Sequence, residues 1–67
     1  MDPNETLAEL REAFRKADEA ARHGNDAKTG LYYGAAAAHF EALDDFLTRG
    51  GFPPVDWDRR FTETRKN

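Results

Sequence analysis

Residues 43–57, LDDFLTRGGFPPVDW, restrict the fold more than any other stretch of the chain. A helical pattern runs up to Gly50-Gly51, and paired glycines there supply the left-handed backbone that ends a helix. Phe52 follows where a cap usually takes an apolar residue that folds back on the last turn. Pro53 and Pro54 forbid further helix and stiffen the segment into an extended hook. Trp57 closes it with a large apolar surface and one N–H. These residues describe architecture and name no chemistry.

The rest of the chain reads as two helices. Asp2-Pro3-Asn4-Glu5 is a helix start: Asp2 can cap, Pro3 suits the first helical position, and Glu5 completes a capping box. Leu7, Leu10, Phe14, Ala17 and Ala21 then recur at steps of three and four, forming one apolar stripe. Glu12 with Lys16 and Asp18 with Arg22 fall one turn apart as ion pairs. Gly24 and Asn25 stop this helix, and either Asp26 or Thr29 can cap the next. The expected helices are about 4–23 and 28–49. So short a connection makes them antiparallel neighbours.

Helix 2 carries Tyr32, Ala36, His39, Phe40, Leu43, Phe46 and Leu47 on a broad apolar face. Its first half, GLYYGAAAAHF, is apolar nearly all round, and one partner helix cannot cover that. Gly30, Gly34 and Ala38 line the opposite side at intervals of four. That row either admits a second backbone or belongs to an alanine-rich exposed surface.

Size sharpens the point. A chain of 67 residues buries only about 60% of the surface its unfolded form exposes. Without cysteine it has no disulfide or thiolate zinc site, so association with another chain is the stabiliser left. The expectation is an all-α fold: residues 1–57 form an antiparallel helical hairpin, with the Phe52–Trp57 hook laid over its open side. Burial of Phe14, Phe40, Phe46, Phe52 and Trp57 is expected to hold it together. Two hairpins are expected to pair as a homodimeric four-helix bundle. Residues 58–67 form a polar, basic tail.

The candidate chemistry is sparse. His39 lies within the apolar stripe and reads as a packed residue bonded to a tyrosine such as Tyr32 or Tyr33, a carboxylate or a backbone carbonyl, rather than as a base or pH switch. There is no serine or cysteine nucleophile, and Asp44 and Asp45 point apart on successive helical positions. Gly50-Gly51 follows a helix, whereas phosphate loops precede one. No enzyme activity, metal or cofactor is expected. Arg59, Arg60, Arg65 and Lys66 cluster near Trp57 and Phe61, an arrangement able to contact single-stranded nucleic acid. Interrupting acidic residues and a net charge of -3 favour a solvated tail instead.

The string ALDDFLTRGGFPPVDW resembles a signature of small proteins from actinobacteria and their phages. It maps onto Leu43, Asp44, Phe46, Leu47, Gly50, Gly51, Phe52, Pro54 and Trp57, with Phe46 where tryptophan is commoner. The resemblance covers about residues 40–57. It implies origin and small size and carries no activity. The function expected is a non-catalytic protein–protein interaction module, phage-encoded and binding a host or virion protein. Its interaction surface is expected at Tyr33, Gly34, Ala37, Ala38, Phe52 and Trp57. A small nucleic-acid-associated regulator acting through the basic tail is the alternative. The acidic N-terminus and the short uncharged run Thr29–Phe40 offer no signal peptide or membrane span, so a cytoplasmic location is expected.

Overall fold

The computed structural model describes residues 1–58. Two helices, α1 (Pro3–Arg22) and α2 (Asp26–Thr48), pack antiparallel, and a 3-10 turn follows at Val55–Trp57. Among the described residues there is no strand.

The caps explain the boundaries. The Asp2 carboxylate accepts from the backbone N–H groups of Asn4 (3.0 Å) and Glu5 (3.4 Å), and Pro3 opens α1. Both helices end alike. Gly24 and Gly50 take positive φ, 70° and 96°. The Gly24 N–H donates to Ala21 and the Asn25 N–H to Ala20; Gly50 and Gly51 donate to Leu47 and Phe46 in the same pattern. This paired closure satisfies carbonyls that a helix end leaves free.

The cap of α2 is neither Asp26 nor Thr29 but Asn25. Its side-chain oxygen accepts from the Lys28 N–H at 3.1 Å, while its own N–H completes the end of α1. One asparagine thus finishes one helix and starts the next, which shortens the connection and moves the start of α2 to Asp26.

The seam between the helices is narrow and built of small residues. Leu7, Leu10, Ala13, Ala17 and Ala20 are buried on α1, and only Ala36 and Leu43 are buried among the 23 residues of α2. The expected α1 stripe is corrected at two places: Phe14 and Ala21 are exposed, and Ala13 and Ala20 lie inside. Interaxial distance follows the size of the contacting side chains. Alanines let the backbones approach, and a phenylalanine on the seam would hold them apart. On α2, Tyr32, His39, Phe46 and Leu47 are half-buried. Phe40, Phe52 and Trp57 are also exposed, so the expected aromatic core is corrected too.

The hook docks on the start of α1 rather than over the length of the hairpin. The Val55 N–H donates to Asn4 Oδ1 at 2.7 Å, and Arg11 Nη1 donates to Asp56 Oδ2 at 2.6 Å. Pro3 and Pro54 are both fully buried at this pole. Phe46 and Phe52 meet edge to face with ring centroids 5.6 Å apart.

Charged pairs decorate the outside. Asp18–Arg22 forms as expected, at 2.6 Å. Glu12 pairs with Arg15 rather than with Lys16, and Arg15 also reaches Glu19. The Arg15 hydrogen bond holds the Glu12 carboxyl below its ordinary range. Such exposed pairs contribute little to stability.

The molecule is only 14 Å through its thinnest dimension. A helix with its side chains is about 10–12 Å across. Among the described residues the hairpin is therefore a single layer, with no element packed on either broad face.

Candidate functional site: an aromatic flank of the hairpin

Cross-helix contacts sort the surface into two flanks. On one, His39 Nδ1 lies 3.5 Å from Glu9 Oε2, and the Lys16 ammonium sits 5.8 Å from the Tyr32 ring centroid. His39 is half-buried beside the Glu9 carboxylate, and neither Tyr32 nor Tyr33 bonds to it. At the loop end of the hairpin, a cleft of about 350 Å³ is lined by Arg15, Lys16, Glu19, His23, Lys28 and Tyr32, among others. Several of its polar groups are already engaged. Arg15 bonds two glutamates, Lys16 covers Tyr32, and His23 Nδ1 is 2.9 Å from the Glu19 carbonyl.

On the other flank Phe14 and Tyr33 meet edge to face, centroids 6.2 Å apart at 65°. Helical spacing puts Ala37 and Phe40 on the same side, one and two turns along from Tyr33. Phe14, Tyr33 and Phe40 remain 49%, 50% and 55% exposed. Three half-bare rings on one flank of a small hairpin form the candidate site. Phe14 and Phe40 were assigned to the core by periodicity. Their signal was position at the edge of each stripe, which a flat apolar count cannot separate from its centre.

The flank also has a charge pattern. Arg11, Asp18 and Arg22 follow one another at helical spacing along its α1 edge, and Arg15 turns to the outer side of α1, toward Glu12 and Glu19. Asp26 and Asp44 lie along its α2 edge, and Glu41 stands further round, two turns on from Gly34. Asp26 and Asp44 make no ion pair with any described residue.

The other expected interface residues do not gather here. Gly34 and Ala38 face away from α1, on the back of α2, and both are exposed. A methyl group added at Gly34 would have nothing within 4 Å. Gly34→Ala is therefore expected to stabilise the chain by about 0.8–1 kcal/mol, the helix-propensity difference. Denaturant titration checks it: a loss of stability would reveal a backbone seated against that position. Phe52 and Trp57 are exposed in the hook. Arg59, Arg60, Arg65 and Lys66, with Phe61, lie outside the described residues.

No helix among the described residues is long and apolar enough to cross a membrane. The chain matches no protein-family model, no curated protein and no solved structure.

Proposed function

We propose that this chain is a non-catalytic protein–protein interaction module whose working surface is the Phe14–Tyr33–Ala37–Phe40 flank. The observation that carries the reading is the exposure of three aromatic rings side by side on a fold one helix thick. Domains ordinarily sandwich their core between at least two layers of secondary structure. This hairpin supplies one, with three leucines as the largest side chains of its buried hydrophobic set. A second layer laid on the flank would cover rings that otherwise stay in water. Aromatic residues are also the side chains that interfaces favour at their centre.

Photo-crosslinking tests the reading. The photoreactive residue p-benzoyl-phenylalanine is placed at Ala37 in one variant and at Ala35, on the Glu9–His39 side, in another. The expected result is one discrete protein adduct from position 37 and none from position 35, in the cell extract or with the purified chain. No adduct from position 37, or equal adducts from both, would overturn it.

A further inference from the structure

We infer that the layer covering the aromatic flank is a second copy of this chain, related by a two-fold axis parallel to the helices. This rests on the interaction reading above and names its partner.

The charge pattern chooses both the occupant and the arrangement. One edge of the flank carries Arg11 and Arg22, each in an exposed pair with an aspartate of its own chain, and the other carries Asp26 and Asp44. A second hairpin turned about an axis along the helices lays its α1 on the first copy's α2. Its arginine edge then meets the carboxylate edge, and symmetry repeats the match. A two-fold across the helices would instead place arginines on arginines and carboxylates on carboxylates. Like-charge juxtaposition disfavours that arrangement.

Register supports particular pairs. Tyr32 lies beside Lys16 and His39 beside Glu9. Asp26 is six residues before Tyr32, and Arg22 is six residues beyond Lys16. The two therefore sit at the same level of the hairpin. The proposed axis preserves level, so Asp26 of one copy faces Arg22 of the other. Phe14 and Tyr33, also level with each other, come together with their symmetry mates at the middle of the interface.

The size is sufficient. A face roughly 30 Å long and two helices, about 20 Å, wide offers on the order of 600 Å² per copy. Two such faces clear the about 1,000 Å² in total that marks a specific interface.

Sedimentation equilibrium on the purified full chain at micromolar concentrations is the first measurement. The expected mass is twice the 7.6 kDa of one chain. Tyr33→Asp and Phe40→Asp should each weaken association about a hundredfold while leaving the helical circular dichroism of the chain in place. Arg22→Glu and Asp26→Lys should each weaken it about tenfold, and mixing the two variants should restore it, because both contacts become attractive in the mixed dimer. A monomer at these concentrations overturns the inference. So does a dimer indifferent to Tyr33→Asp and Phe40→Asp, or charge variants that mixing fails to rescue. A monomer that still crosslinks from position 37 to a different protein would sink self-association and leave the interaction reading standing.

Discussion

Leu43→Ala is expected to leave little or no folded protein at room temperature. Leu43 is fully buried and belongs to the only cluster of buried apolar side chains among the described residues, with Leu7, Leu10, Ala13 and Ala36. Truncating a buried leucine costs about 2–5 kcal/mol, because transfer energy is lost and a cavity remains. A chain of this size has only about 3–10 kcal/mol in hand. Most of its neighbours here are alanines and leucines anchored on helical backbone, so the gap cannot collapse cheaply. Urea titration followed by circular dichroism decides it, at one fixed protein concentration since association adds to apparent stability. A loss below about 1 kcal/mol would show that the seam is not where the stability resides.

Gly51→Ala is the second substitution expected to do large damage, at about 1–3 kcal/mol. Gly51 does not have positive φ, so left-handed backbone is not the reason. A Cβ at this position would run into the ring of Phe46. That ring also meets Phe52 edge to face, and moving it gives up an aromatic contact worth about 0.5–1.5 kcal/mol. The hook would loosen with it. A double-mutant cycle isolates the cause: in a Phe46→Ala background Gly51→Ala should cost almost nothing. An undiminished cost there would place the effect in the backbone.

The helices and their ends were largely legible in the sequence because their signals are local. Asp2-Pro3 opens α1, Gly50 closes α2 with positive φ, and the spacing of Leu7, Leu10 and Ala17 points inward. Asn25 ends α1 as its sequence suggests, but its second task, capping α2, is hidden because a stop signal conceals a start signal. The choice between Ala13 and Phe14 was not legible either. Both are apolar and stand at opposite margins of the stripe, about 100° apart on the wheel, and only the closeness of the second backbone decides which fits. The attachment of the hook depends on Asn4 meeting Val55 and Arg11 meeting Asp56, contacts 51 and 45 residues apart in sequence. Polar partners at such separation leave no periodic trace. For the candidate site, Tyr33 and Ala37 were foreseen and Phe14 and Phe40 were not. A stripe's margin becomes visible only when its centre is known.

The bond from Val55 to Asn4 has a mechanical consequence. It clasps the start of α1 to the segment leaving α2, at the pole opposite the turn around Asn25. Tension applied through both would first undo this clasp and then peel the helices apart one contact at a time. Such a molecule opens like a zipper and resists pulling along that line poorly.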